Sequence, residues 1–296
     1  MKLFYLIATL LVVQSCSGQK FASLAKSNDD NTLLWEISGK GLKKPSYLFG
    51  TFHMLCKQDI KFSNNLQAAI KQSQEIYFEL DLDDPSTLLG GMLFMNMKGG
   101  KTLQDLYSPA EYDRLSKFFS DSLKMKMNFF NKMKPMLLEA LLYPRMMPCK
   151  TPSGVEQEVM SIAKKQKKEI KGLETIEFQG GIFDSIPYDV QAKALLKDID
   201  STQKMKTYLN KMIAIYKDQQ TRKLADLTSD SAFSEGLNND ILLKNRNINW
   251  VRQLKSILPE KNIFIGVGAA HLFGKDGVIA LLRKEGYKVR GIENRQ

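Results

Sequence analysis

Both histidines of this 296-residue chain occur in the same local pattern, and this repeat constrains the fold more than any other feature of the sequence. The pattern is Gly-x-x-His, at residues 50–53 and again at 268–271. Each copy follows an apolar run typical of a buried strand, 47–49 and 263–267 respectively. A glycine there lets the backbone approach a ligand closely, at the end of a strand where α/β proteins place their chemistry. The repeat predicts one functional site served by both histidines; two unrelated histidines in turns are the alternative.

Hydrophobic periodicity predicts strands towards both ends of the chain and helices between them. The predicted strands are 35–38, 47–52, 76–82, 169–173, 263–267 and 287–291, and the predicted helices are 64–73, 108–127, 135–142, 154–166, most of 187–258, and 276–284. We therefore expect an α/β fold with a mixed central sheet built from N- and C-terminal strands and a largely helical middle region. Residues 85–100 are rich in glycine and methionine, which is compatible with a mobile loop over a site or with a loosely packed helix start.

The segment 76–82 alternates apolar and polar residues, as expected for a strand. Ile76, Phe78 and Leu80 fall on one face. Glu79 and Asp81 fall together on the other, about 6 to 7 Å apart along the strand.

The amino terminus is typical of an export signal. A positively charged start, Met1-Lys2, precedes an apolar stretch at 3–13 that is too short to span a bilayer. Val13-Gln14-Ser15-Cys16 is similar to a lipoprotein cleavage site, so Cys16 is the candidate lipidated residue; an ordinary secretory signal cleaved nearby is the alternative. This predicts a signal peptide at 1–16, a flexible tether at 17–31 and a domain at 32–296. The protein would then be an exported lipoprotein, membrane-anchored on the periplasmic or cell-surface side of a bacterial envelope.

Cys56 and Cys149 remain once Cys16 is assigned to the anchor. An even pair of cysteines in an oxidising compartment predicts a disulfide. Since Cys56 lies three residues after His53, such a bridge would brace one wall of the proposed site. A thiol nucleophile paired with histidine, or metal ligation by Cys56, are the competing interpretations.

The chain is basic, with a net charge of +11, but its charge pattern does not indicate nucleic-acid binding. The densest lysine run, at 164–168, closes a predicted helix and is explained as a solvated helix end. Arginines and aromatics interleaved along one face, which nucleic-acid binding requires, are not found.

Five segments taken in order resemble the TraB/GumN family: 47–53, 76–85, 172–179, 246–247 and 266–271. The run Tyr-Phe-Glu-Leu-Asp-Leu at 77–82 is particularly similar to the TIKI branch of that family. The resemblance implies a membrane-associated, divalent-metal-dependent protease in which both Gly-x-x-His motifs and a glutamate, matched here by Glu79, are essential. A peptide or protein substrate is the implied partner.

Elementary metal chemistry agrees with that implication. Two imidazoles and one carboxylate leave a tetrahedral divalent ion, such as Mn²⁺, Co²⁺ or Zn²⁺, with an open position for water. We therefore predict His53, His271 and Glu79 as ligands. Asp81 is predicted as an extra ligand or as a hydrogen-bond partner of a ligand.

Three further charged residues are candidates for supporting roles. Glu174 and Glu177 are candidates for the general base, against the alternative that each is an ordinary carboxylate near a helix N-terminus. Arg246 is a candidate for binding an oxyanion or a substrate carboxylate, against the alternative of a structural salt bridge.

Three functions fit these residues. The first is a metal-dependent hydrolase of peptides. The second is a binding protein that sequesters a peptide or small ligand without turnover. The third is a metal-free hydrolase in which a histidine acts as general base.

Overall fold

A six-stranded mixed sheet forms the centre of the structure, a computed structural model that describes residues 24–25, 31–229 and 240–295. The strands are β1 (Leu34–Ser38), β2 (Ser46–Thr51), β4 (Glu75–Leu80), β6 (Glu169–Glu174), β7 (Ile263–Gly268) and β8 (Lys288–Gly291), in the order β6-β4-β7-β2-β1-β8. The four strands from β6 to β2 are parallel, whereas β1 runs antiparallel to both of its neighbours. The predicted mixed sheet of N- and C-terminal strands is confirmed, and β6 adds one strand from the middle of the chain.

Both faces of the sheet are covered, which explains why its strands are apolar on successive residues. Phe49, Phe78 and Phe264 belong to one hydrophobic core. Leu48 and Ile265 belong to a second core on the opposite face, where helices near the C-terminus pack.

Most of the middle region is helical, as predicted. The helices are α1 (Asn64–Gln72), α2 (Pro85–Phe94), α3 (Pro109–Phe118), α4 (Pro135–Ala140), α5 (Tyr143–Met146), α6 (Val155–Lys165), α7 (Ile176–Asp184), α8 (Tyr188–Asp200), α9 (Thr202–Lys217), α10 (Thr221–Ser229), α11 (Asn245–Ile257) and α12 (Val278–Lys284). Ser108 caps α3 reciprocally with Glu111, a capping box that the sequence pattern indicates.

Two predicted boundaries differ from the structure, and one predicted alternative is decided. Helix α3 ends at Phe118 instead of continuing to residue 127, because a wider turn at Phe119–Leu123 leads into Lys124, whose φ of 57° is left-handed. Residues 85–94 form a helix started by Asp84, whose side chain accepts from the backbone N–H of Ser86, so the helix alternative for this segment holds. Strand β4 ends at Leu80, one residue before Asp81.

A second, two-stranded sheet holds the segment after His53 against the start of α6. It pairs β3 (Leu55–Cys56) with β5 (Pro152–Ser153) in antiparallel register. The predicted disulfide between Cys56 and Cys149 is present and closes the same junction. Because Cys56 is bridged, it has no thiol to act as a nucleophile.

No helix among the described residues is long and apolar enough to cross a membrane. The predicted signal peptide and Cys16 lie outside the described residues, as does most of the predicted tether.

Candidate functional site

The parallel strands bring both Gly-x-x-His motifs to one edge of the sheet. Strand β7 lies between β2 and β4, with Thr51 opposite Gly268 and Phe78 opposite Gly266. Because these strands run in the same direction, their carboxyl ends meet at one edge. His53, His271 and Glu79 all lie at this edge.

The three side chains converge on Gly268. A Cβ atom placed on this glycine would lie 3.2 Å from Oε1 of Glu79, 3.7 Å from Cδ2 of His271 and 3.9 Å from Nε2 of His53. Three polar side chains from three strand ends therefore surround a single glycine. Any larger residue at this position would fill the space between them, which explains the need for glycine before the second histidine.

His271 is buried and held as a neutral imidazole. Its Nδ1 lies 2.7 Å from Oδ1 of Asn247, an oxygen that only accepts, so Nδ1 carries the proton. Its Nε2 lies 3.2 Å from Nη1 of Arg246, which only donates, so Nε2 is the unprotonated nitrogen. Burial lowers the pKa of His271 to about 3, and the Arg246 cation acts in the same direction. The ring also packs against Trp250, with 4.4 Å between the ring centroids.

His53 carries the same motif in an opposite environment. Its side chain is 73% exposed, and its Nδ1 bonds Oε1 of Glu156 at 2.8 Å. This hydrogen bond to the carboxylate raises the pKa of His53 to about 9, although solvent at the exposed ring screens part of the attraction. The Nε2 atom faces Gly268, 3.9 Å from the Cβ position of that glycine.

Glu156 reaches His53 because two chain segments are joined along their length. The backbone N–H of Val155 donates to the carbonyl of Phe52 at 3.1 Å, next to the β3–β5 pair and the disulfide. Gly154 permits this close approach, since a Cβ there would lie 2.9 Å from the carbonyl oxygen of His53.

Glu79 is ionised, and each of its carboxylate oxygens accepts a hydrogen bond. Its Oε1 accepts from the backbone N–H of Gly268 at 2.8 Å, and its Oε2 accepts from Nη2 of Arg246 at 2.6 Å. Burial opposes ionisation, but the positive charges of His271, Arg246 and His53 outweigh it and lower the pKa of Glu79 to about 2. Because His271 is neutral above its own low pKa, Arg246 is the buried cation whose charge persists at neutral pH.

Arg246 is fixed by Glu174. Both oxygens of Glu174, whose side chain is fully buried, accept from the guanidinium at 2.8 to 3.1 Å. This bidentate pair aims the remaining guanidinium N–H groups at Glu79 and His271. Glu174 is therefore placed against Arg246, whereas Glu177 is exposed in the first turn of α7, the position of an ordinary carboxylate near a helix N-terminus.

Asp81 directly follows Leu80, the last residue of β4, and its side chain contacts another carboxylate. Burial and a hydrogen bond with Asp83 raise the pKa of Asp81. Among the described residues its side-chain partner is thus Asp83 and not a histidine.

Three residues of the site were not predicted from the sequence: Glu156 on His53, Asn247 on His271, and Gln179, whose Nε2 lies 3.4 Å from Oε2 of Glu79. Asn247 adjoins Arg246 in a segment of the family resemblance, so a signal for it existed. Gln179 lies in another of these segments, 172–179, so it had a signal as well, whereas Glu156 depends on a tertiary contact that no local pattern reports.

The donor set matches what a divalent ion requires, although the described side chains are not arranged as a ready cage of three or more ligands. Nε2 of His53, Cδ2 of His271 and Oε1 of Glu79 surround the Cβ position of Gly268, and Nδ1 of each histidine is bonded to an oxygen. Histidines that bind metals are commonly oriented by such a bond. The Arg246 guanidinium lies against both Glu79 and Nε2 of His271. A metal ion would have to displace these two contacts.

The chain is similar to one protein family and to several named metalloproteases. Residues 33–291 match the TraB/PrgY/gumN family. "Metalloprotease TIKI1" of Danio rerio is 24% identical over 315 residues, covering 88% of this chain and 63% of that protein. "Metalloprotease TIKI1" of Homo sapiens is 25% identical over 317 residues, covering 88% of this chain and 61% of that protein. The chain thus spans about three-fifths of the length of these relatives. No solved structure matches.

Proposed function

Because the chain belongs to the TraB/PrgY/gumN family, we propose that it is a divalent-metal-dependent hydrolase that cleaves peptides or proteins. The observation that carries the proposal is the convergence of His53, His271 and Glu79 on Gly268. In this proposal these three side chains hold the ion, which would be Mn²⁺, Co²⁺ or Zn²⁺. When bound, such an ion supplies Lewis acidity and lowers the pKa of a water molecule.

The chain itself supplies orientation and charge. Asn247 and Glu156 fix the two imidazole rings so that each Nε2 faces the site. Arg246, held by Glu174, is proposed to release its contacts to Glu79 and His271 and to donate to the oxygen of the substrate carbonyl on which negative charge develops. Glu174 then acts as a positioning residue for Arg246.

A metal-free mechanism with histidine as general base is less favourable. An efficient general base has a pKa near the working pH. Glu156 raises the pKa of His53 to about 9, so at neutral pH this ring already carries the proton it would have to accept. Burial lowers the pKa of His271 to about 3, which makes it a weak base.

The test is cleavage of a diverse peptide library by the purified protein, with and without added Mn²⁺, Co²⁺ or Zn²⁺. Glu79→Gln keeps the shape of the side chain and removes its charge, so we expect it to eliminate metal-dependent cleavage. Asp81→Asn is the matched control, because Asp81 contacts Asp83 instead of the histidines. It should leave measurable metal-dependent cleavage, whereas Glu79→Gln should leave none.

Two outcomes would contradict the proposal. Cleavage that continues in the presence of a chelator would favour a metal-free hydrolase. Stoichiometric metal and peptide binding with no cleavage of any peptide would favour a binding protein on the same fold.

We also propose that the protein is exported and anchored to a membrane through lipidated Cys16. The support is the sequence pattern at 13–16 and the disulfide, which is typical of an oxidising compartment. Mass spectrometry of the amino-terminal peptide from membrane fractions tests this directly. A diacylglyceryl-modified Cys16 is expected, and a peptide that begins elsewhere without lipid would contradict it.

A further inference from the structure

Two segments of the middle region contain lysines and many apolar residues, several of them methionines, but no acidic residue. They are residues 85–104 and 122–138, and their lysines are Lys98, Lys101, Lys124, Lys126, Lys132 and Lys134. The functional site does not use any of these lysines.

The fold places the two segments side by side. The backbone N–H of Met97 donates to the carbonyl of Lys132 at 2.8 Å, and that of Leu103 donates to Asn131 at 2.7 Å. A further backbone bond joins Lys134 to Met95 at 2.9 Å. The segments therefore form one continuous surface.

Large apolar side chains protrude from this surface. On α2, Leu89, Met92 and Leu93 are 68%, 66% and 77% exposed, and their i, i+3, i+4 spacing places them on one face of the helix. Phe129 on the neighbouring segment is 78% exposed. We call these four residues with Lys101, Lys126 and Lys132 the apolar–basic surface.

The opposite side of α2 is fixed, so this exposure does not result from a loosely placed helix. Phe94 packs closely on α7, since a Cβ on Gly180 would lie 2.7 Å from Cβ of Phe94. Lys134 is buried, and its Nζ donates to the carbonyl of Phe94 at 2.7 Å and pairs with Asp184 at 2.8 Å. Helix α2 thus presents a defined face to the outside.

The surface also adjoins the candidate site. Helix α7, on which α2 packs, carries Gln179, whose amide lies 3.4 Å from Glu79. Phe178, the residue before it, is a further exposed aromatic side chain, at 46%.

We propose that the apolar–basic surface docks on an anionic lipid bilayer, with Leu89, Met92, Leu93 and Phe129 in the interface and Lys101, Lys126 and Lys132 at the head groups. Protruding apolar side chains bordered by lysines match a surface that is apolar inside and negatively charged outside. Two cavities, of about 540 and 270 Å³, are lined by other residues, so the proposal concerns an exposed surface and not either of these cavities. The proposal rests neither on hydrolase activity nor on a lipid at Cys16.

A fluorescent probe at one position tests this docking locally. The full chain with Cys16→Ser and Leu93→Cys is labelled with an environment-sensitive dye; Cys56 and Cys149 are bridged and do not react. The matched control carries the dye at Lys284→Cys, an exposed position on α12 at the other end of the sheet. With vesicles containing phosphatidylglycerol we expect a blue shift, and quenching by spin-labelled lipid, at position 93 only.

Charge variants separate lipid docking from simple apolar adsorption. The double variant Lys101→Gln, Lys132→Gln should need more lipid to reach half of the shift. We expect about a fivefold increase in that lipid concentration for each lysine removed, because one basic residue near an anionic surface usually contributes about 1 kcal/mol to binding. Lys206→Gln with Lys211→Gln, two exposed lysines of α9, is the control with the same change in charge and should leave it unchanged. Leu89→Ser with Met92→Ser should abolish the shift while the thermal unfolding curve stays cooperative.

Three results would overturn the proposal. A dye at position 93 that remains in a watery environment with every vesicle would exclude insertion. Equal shifts at positions 93 and 284 would mean nonspecific adsorption. A shift produced by an unfolded acidic polypeptide such as casein, but not by vesicles, would replace the bilayer with a polypeptide partner.

Discussion

The ends of β2 and β7 carry the same Gly-x-x-His motif but give their histidines opposite environments. His271 is buried against Trp250, bonded to the neutral amide of Asn247, and has a pKa lowered by burial. His53 is exposed, bonded to the carboxylate of Glu156, and has a pKa raised by that bond. A motif thus fixes where a histidine lies, whereas its protonation depends on residues distant in sequence.

This difference suggests a division of labour between the two ends. The β7 end is preformed, because a neutral Nε2 already faces the site. The β2 end is held from outside, by the disulfide, the β3–β5 pair and Glu156, and its imidazole must lose a proton before it can bind a metal ion. The following predictions test this comparison.

The disulfide should have the largest effect, and mainly at the β2 end. It closes a loop of 93 residues, for which the chain-entropy model gives about 4 to 5 kcal/mol of stabilisation, an upper figure. Cys56→Ser with Cys149→Ser should therefore lower the free energy of unfolding by up to this amount in urea titrations. Hydrogen exchange should increase near residues 52–57 more than near 268–272. Equal increases at both ends would show that the bridge does not serve the β2 end specifically.

Removing each histidine should affect stability unequally. His271→Ala should reduce the free energy of unfolding by roughly 2 to 3 kcal/mol, since it leaves a cavity beside Trp250 and a buried amide oxygen of Asn247 without its donor. His53→Ala should cost less than His271→Ala, because removal of the largely exposed ring leaves no cavity and the main loss is the bond to the buried carboxylate of Glu156. The comparison fails if chemical denaturation gives the two variants the same cost.

Asn247→Ala should weaken divalent-ion binding by about 10- to 100-fold, the usual cost of losing the group that orients a histidine ligand. Isothermal titration calorimetry measures it. Gln253→Ala, on the same helix α11 but bonded to the carbonyl of Leu173, is the matched control and should bind as the wild type does. An unchanged affinity in Asn247→Ala would remove this residue from the account.

Proton release on metal binding should distinguish the two histidines most finely. His53 is largely protonated at pH 7.5, since its pKa lies at about 9, so binding should release close to one proton from it and none from the neutral His271. Metal affinity should therefore rise with pH until about pH 9.

Glu156→Gln removes the carboxylate that raises the pKa of His53, so this pKa should return towards the ordinary histidine value of about 6.5. The number of protons released on metal binding at pH 7.5 should then fall to about 0.1. Calorimetry in buffers of different ionisation enthalpy counts these protons. An unchanged count in this variant would show that Glu156 does not control His53.

The sequence was sufficient for the parts of this arrangement that depend on local patterns. Apolar runs followed by Gly-x-x-His predicted that β2 and β7 end at one site, and Ser108 with Glu111 predicted the start of α3. The pair of cysteines predicted the disulfide.

Features that depend on tertiary contacts were not accessible. The strand containing Glu79 ends two residues before its predicted end, and the side chain of Asp81 bonds Asp83 and not a histidine. Glu156 reaches His53 only because the β3–β5 pair joins segments about a hundred residues apart. The insertion of Arg246 between Glu79 and His271 requires the packing of α11 against the sheet edge. Periodicity and motif spacing contain no information on such contacts.

His53 and His271, the only histidines of the chain, are proposed to bind one divalent ion together with Glu79. Titration with Co²⁺, followed by its visible absorption spectrum, tests this binding, because the bands report nitrogen ligands and coordination number. We expect one Co²⁺ per chain in the wild type and loss of the spectrum in both His53→Ala and His271→Ala. Stoichiometric binding with unchanged bands in the variant that lacks both histidines would contradict it.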